Sequence, residues 1–178
     1  MIYKFRVILD AEEDVFRDIA IEENDSLEDL HNTIVNAFGF DGMEMAAFYT
    51  CDDQWNQDQE IPLFDTSDNP GEGLTMADHI LSSTFDKNNT KIIYVYDFLN
   101  MWTFFVELAA IEEPEQGIAY PDLLFSHGIL PLTAPDKEFD AEQNDFYSDF
   151  EDDYDDEDFD MFEGDDSFSD FGFEENWN

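Results

Sequence analysis

Residues 138–178 hold 19 Asp or Glu, 11 aromatic residues and no Lys or Arg. A run with that charge density gains too little from burial to repay the ordering of its backbone, and it contains no cation to relieve its self-repulsion. The folded part must therefore be built from the first 137 residues, a length that suits one domain with a single core. No hydrophobic periodicity survives from Lys137 onward, so 138–178 read as a disordered acidic tail.

Charge constrains partners as well as folding. The chain carries 47 acidic and 6 basic residues, a formal net charge of −41. Taking the tail's 19 acids from the 47 leaves 28 against 6 bases, so residues 1–137 are themselves 22 negative. A body this acidic is repelled by phosphate backbones, because nucleic-acid affinity rests on Lys and Arg displacing counterions. Anionic membranes are disfavoured for the same reason. Basic protein surfaces are the partners such a field steers in. Cys51 is the single cysteine and has no internal partner, which fits a reducing compartment. Met1–Asp10 alternates apolar and polar residues, unlike a signal peptide. The apolar stretch Met101–Ile111 is interrupted by Glu107 and is too short to span a bilayer. The expected location is cytoplasmic.

Ile2–Leu9 and Val15–Glu22 have period-two character and predict an antiparallel hairpin. Ser26 with Asp29 supplies helix-start chemistry, and Leu27, Leu30, Ile34 and Phe38 recur at helical spacing up to Gly39, a left-handed stop. Ala46–Thr50 reads as a third strand, Cys51–Glu60 as a polar loop and Ile61–Phe64 as a short edge segment limited by Pro62. Thr75 with Asp78 opens a helix of about two turns across Met76–Thr84. Lys91–Phe98 and Trp102–Ile111 are the most β-prone segments and predict a second hairpin. Residues 114–137, punctuated by Pro and Gly, read as an extended segment wrapping the body. The expected architecture is α+β: a β-grasp-like mixed sheet over residues 1–113 with one main packing helix. A ferredoxin-like sandwich is the alternative and would need a longer second helix.

Several motifs carry a resemblance. The strand Ile2-Tyr3-Lys4-Phe5-Arg6-Val7, the helix start Ser26-Leu27-Glu28-Asp29-Leu30-His31, the helix end Ala37-Phe38-Gly39-Phe40 and the strand Tyr94-Val95-Tyr96-Asp97-Phe98 before Trp102 resemble the plasmid pRiA-type Orf-three-like family, the transposon-passenger TnpR-like group. The likeness covers roughly Met1–Glu113 and implies a β-grasp-like body, with no biochemical activity attached to it. Members typically read Tyr-Asp-Phe-Gly-Asp-x-Trp-x-His at the late hairpin. Here Leu99, Asn100 and Met101 occupy the turn and Phe104 stands where the histidine is expected. The histidine-bearing segment usual after the main helix is replaced by Met43–Phe48. If those polar groups form a site in the family, their loss implies a binding-only descendant.

No catalytic constellation is visible. His31, His79 and His127 lie far apart without partners at zinc-ligand spacing, and His31 and His79 read as boundary or surface residues. Cys51 has no base beside it and reads as a structural thiol. Asp97 and Trp102 flank the late turn and have two readings: a pocket-lining pair, or a carboxylate satisfying turn amides beside an indole anchoring the core. In the tail, Asp156, Asp158 and Asp160 have calcium-loop spacing, but Met161 replaces the required glycine and Ser167 the bidentate glutamate. No cofactor or metal is expected.

The tail itself has two readings, solubilising or adhesive. A purely solubilising segment needs no aromatics, yet Phe159, Phe162, Phe168, Phe171, Phe173 and Trp177 stand beside or within a carboxylate run that includes Asp152, Asp153, Asp155, Asp156, Asp158 and Asp160. Rings of this kind can anchor on a partner while the carboxylates steer the approach. The leading expectation is a non-enzymatic interaction module that binds a basic protein surface, such as that of a nucleic-acid-binding protein. The alternative is a small-molecule-binding domain or enzyme with a pocket near Asp97 and Trp102.

Overall fold

The computed structural model describes residues 1–136. In chain order the elements are β1 (Ile2–Leu9), β2 (Phe16–Glu22), α1 (Leu27–Phe38), β3 (Ala46–Cys51), β4 (Gln57–Pro62), a 3₁₀ turn (Met76–Asp78), α2 (Leu81–Thr84), β5 (Lys91–Tyr96), β6 (Trp102–Glu112) and β7 (Asp122–His127). The seven strands form one sheet in the order β4-β3-β5-β6-β1-β2-β7.

Every ladder is antiparallel. This corrects the mixed, β-grasp-like sheet expected from the sequence; the α+β class with one main helix stands. β1 lies between its hairpin partner β2 and the long strand β6, with Phe5 opposite Ile19 on one side and Leu108 on the other. α1 carries the chain from one half of the sheet to the other, where β3 enters antiparallel to β5.

α1 begins and ends as its sequence dictates. Asp29 N–H donates to Ser26 Oγ while Asp29 Oδ2 accepts from Ser26 N–H at 2.8 Å, closing a capping box. Gly39 ends the helix at φ 77°, a conformation that only glycine adopts without steric cost. Leu27, Leu30 and Ile34 are fully buried against the inward face of the sheet, where Phe5, Val7, Phe48, Tyr94 and Phe104 are also fully buried. Burying each such side chain contributes about 1.5–3 kcal/mol. Aromatic contacts link the layers: Phe38 to Phe104 at 4.7 Å and Phe48 to Tyr94 at 4.9 Å between ring centroids.

Four local readings need revision. The edge strand starts at Gln57, because the exposed polar residues Gln57–Glu60 pair with β3 along only one edge and need no apolar side chains. The expected two-turn helix is a 3₁₀ turn followed by the single turn α2, with Met76 and Leu81 buried and His79 and Ile80 extended between them. The wrapping segment 114–137 contributes β7, which pairs with β2 through five residue pairs. His31 is buried at 3% exposure, with Nδ1 2.7 Å from the Tyr94 hydroxyl.

Arg17 secures β7. Its guanidinium is nearly buried, donating to the carbonyls of Phe16 and His127 at 2.8 Å and of Ala37 and Gly128 at 3.3 Å, with Phe38 beneath it at 4.8 Å. One side chain thus ties the end of α1, the start of β2 and the end of β7.

Two outcomes follow. A chain ending at Asp136 keeps one cooperative thermal transition. A chain ending at Glu113 loses β7 and two of the Arg17 acceptors, and melts lower by roughly 5–10 °C. Burial also pushes the His31 pKa down from 6.5 to about 4. The unfolded chain then binds more protons between those values, so stability present above pH 6.5 is lost as pH falls towards 4, by about 3 kcal/mol in all. Urea unfolding at pH 7 and pH 4.5 should show His31→Gln losing about 2 kcal/mol less than wild type between the two; identical losses would remove His31 as the cause.

Candidate functional site

The β5–β6 turn is built around Asp97. Asp97 and Met101 adopt φ of 60° and 58°, left-handed values that side chains other than glycine tolerate only under local constraint. The constraint is hydrogen bonding. The Asp97 carboxylate accepts from Leu99 N–H at 3.1 Å, Asn100 N–H at 3.4 Å and Asn100 Nδ2, while its own N–H donates to the Met45 carbonyl at 2.8 Å. Trp102 is 8% exposed and packs on Phe40 at 5.4 Å. The structure therefore brings Asp97 and Trp102 to the same turn with the carboxylate facing loop amides and the indole facing the core. Neither lines the two clefts described next.

The first cleft, about 250 Å³, lies between the β3–β4–β5 side of the sheet and the α2 region, with Thr50, Gln59, Ile61, His79, Ser83 and Asn89 among its lining residues. His79 Nδ1 sits 2.8 Å from the Thr75 carbonyl. A carbonyl only accepts, so Nδ1 carries a proton and Nε2 faces away from this bond. Thr50 Oγ1 is engaged with Gln59 N–H at 3.0 Å and Thr84 Oγ1 with the Ile80 carbonyl at 3.0 Å. This lining can hydrogen-bond a small polar molecule and holds no carboxylate.

The second cleft, about 470 Å³, runs between the solvent side of α1 and the entry to β7, with Glu22, Asp25, Asp29, Asn32, Asn36 and Tyr120 in its wall. Burial raises the Asp25 carboxyl pKa, and the Asp29 and Glu22 charges add to the shift. The acids already have local work: Asp29 caps α1, and Asp25 Oδ2 accepts from Glu22 N–H at 3.3 Å. Among the described residues no group of three His, Cys, Asp or Glu converges to hold a metal ion.

The remaining sequence candidates are dispersed. Cys51 is half-buried at the end of β3, and burial followed by the Asp52 charge raises its thiol pKa, which lowers its reactivity. His127 stacks on Phe16 at 5.1 Å. The tail candidates from Asp152 to Trp177 lie outside the described residues. Sequence reasoning missed the His31–Tyr94 pair and both clefts. His31 had a signal, since 27, 31, 34 and 38 trace a helical stripe as regular as the one through Leu30. The clefts had none, because their walls come from segments far apart in the chain.

The Asp97 geometry yields a graded expectation. Asp97→Ala strands three donors and leaves a β-carbon at positive φ, destabilising the protein by about 2 kcal/mol; Asp97→Asn keeps an acceptor and tolerates φ 60°, costing under about 1 kcal/mol. Denaturant melts of both variants check the order, and equal losses would contradict it.

The fold has a solved counterpart. A crystal structure of a protein of unknown function, MM3350 from Methanosarcina mazei Go1, superposes with a TM-score of 0.59 at 22% identity, covering 70% of this chain and 68% of that one. At that identity the likeness speaks for the fold alone. No curated protein matches the chain. No helix among the described residues is long and apolar enough to cross a membrane. The model of the plasmid pRiA4b ORF-3-like protein family matches residues 1–136, which is all of the described body, and the chain belongs to that family.

Proposed function

We propose that this protein is a non-enzymatic, cytoplasmic interaction module that binds a basic protein surface through residues 138–178. The observation that carries the reading is compositional: 19 carboxylates and 11 aromatic rings in 41 residues with no cation. Carboxylates accelerate encounter with a basic surface, and desolvated rings slow release. A protein that binds nucleic acid through Lys and Arg is the partner class that fits, since the tail then competes as a polyanion.

The disposition of the body's cations supports a protein partner over nucleic acid. Lys4 is paired with Glu112, Arg6 is bidentate on Asp18, Arg17 is engaged with carbonyls, and Lys91 lies over Trp55 at 5.0 Å. Lys87 is exposed on the loop before β5, and among the described residues these five cations assemble no basic face to displace counterions.

Two variants of the full chain test the proposal on the basic protein recovered with it by pull-down and then purified. One replaces Phe159, Phe162, Phe168, Phe171, Phe173 and Trp177 by Ser; the other replaces the acids of 151–160 by Asn or Gln. The first should speed dissociation by about tenfold, and the second should slow association and abolish most of its salt dependence. Wild-type kinetics in the Ser variant would leave the rings without a role. Neither duplex nor single-stranded nucleic acid should shift in a mobility assay at physiological salt.

A further inference from the structure

The two edges of the sheet are treated differently. β4 exposes Gln57, Asp58, Gln59 and Glu60 and ends at Pro62, the charged, proline-limited edge by which proteins prevent strand-to-strand association. β7 forms the other edge and reads Asp122-Leu123-Leu124-Phe125-Ser126-His127. It carries one protective device, a bulge that leaves Leu124 without a counterpart on β2.

The charge pattern singles out the same place. Residues 123–135 form the longest stretch of this chain without Asp or Glu, thirteen residues in a protein that has 47 acids in 178. The next longest acid-free stretches, 30–40 and 87–96, fall largely on α1 and β5, whose apolar residues are core. The stretch at β7 is on the surface: Leu123, Leu124 and Phe125 are 45%, 44% and 52% exposed, and Ile129 is 87% exposed. Phe125 and His127 rest on Phe16, at 5.9 and 5.1 Å, so the strand is held in place on β2, and among the described residues no strand pairs with its outer edge.

We infer that β7 is a self-association edge, pairing antiparallel with β7 of a second copy so that two seven-stranded sheets join across a twofold axis. A second copy is the occupant the charges favour. The symmetric register sets Asp122 of one strand opposite His127 of the other, and the stretch in between brings no carboxylate against a carboxylate. A carboxylate near the middle of this strand would instead lie beside its own symmetry mate, a destabilising arrangement of like charges. The remaining opposition is long-range, from two strongly negative bodies, and salt screens it. Association should therefore tighten with ionic strength, the reverse of the tail's binding to a basic protein; the inference stands or falls independently of that reading.

Sedimentation equilibrium of the full chain over ~1–500 µM, at ~50 mM and ~500 mM salt, tests it. A monomer–dimer equilibrium about tenfold or more tighter at high salt is expected. Leu124→Glu, which brings two carboxylates near the twofold axis, should weaken it at least about tenfold, and Glu60→Gln on the opposite edge should leave it unchanged. Hydrogen exchange on the wild-type protein reads the same contact without a substitution: amides of Asp122–His127 should gain protection as concentration rises. A monomer under every condition, a dimer unaffected by Leu124→Glu, or concentration-dependent protection that spares β7 would each overturn the inference.

Discussion

One short helix has to cover one wide sheet, and the rest of the body follows from that mismatch. α1 has 12 residues, about 18 Å at 1.5 Å per residue, whereas seven strands spaced by about 4.8 Å span roughly 29 Å. A sheet face left bare on that scale would expose the aromatic layer of Phe5, Phe48, Tyr94 and Phe104, all fully buried here. The deficit is met by short turns and loops. Met76, Leu81 and Phe85 from the long β4–β5 connection enter the core, and Phe40, just past the helix end, stacks on Tyr96 at 4.5 Å. Phe85 meets Phe5 at 4.9 Å. The connection is long because it serves as a second cover, built from the 3₁₀ turn, the single turn α2 and the loops around them.

The acidity of the body is compatible with that core because many carboxylates serve the backbone. Asp29 and Asp78 close capping boxes, Asp52 accepts from Gln54 and Asn56 amides, and Asp65 accepts from Ser67, Gly71 and Gly73 amides. The Ser67 side chain first, and then these amides, lower the Asp65 pKa to about 2. Each turn amide receives a charge-assisted acceptor, and each acid stays at the surface where hydration is cheap. The scarce cations do different work. Arg17 meets no carboxylate among its hydrogen-bond partners and acts through carbonyls at the junction of α1, β2 and β7.

The body and the tail therefore divide the chemistry. The body offers two modest clefts, a rigid turn at Asp97 and an edge at β7 whose one acid is Asp122; the tail offers charge and rings. Neither cleft contains a nucleophile hydrogen-bonded to a base, and the family and the Methanosarcina mazei counterpart bring fold without an assigned activity.

Local chemistry was legible in the sequence. The Ser26–Asp29 cap, the Gly39 stop, both hairpins and the Leu27–Phe38 stripe depend on residues within a few positions of one another, and periodicity reports such relations directly. The charge partition was likewise readable from residue identities. Tertiary structure decided what depends on distant partners. β7 lacks alternation because residues of both its faces are exposed, so only pairing with β2 makes it a strand. The direction of the ladders outside the two hairpins was hidden for the same reason: a strand's sequence encodes its faces but not the polarity of a distant neighbour. His31 could be placed in the core only once Tyr94, 63 residues away, supplied the hydroxyl that lets an imidazole be buried.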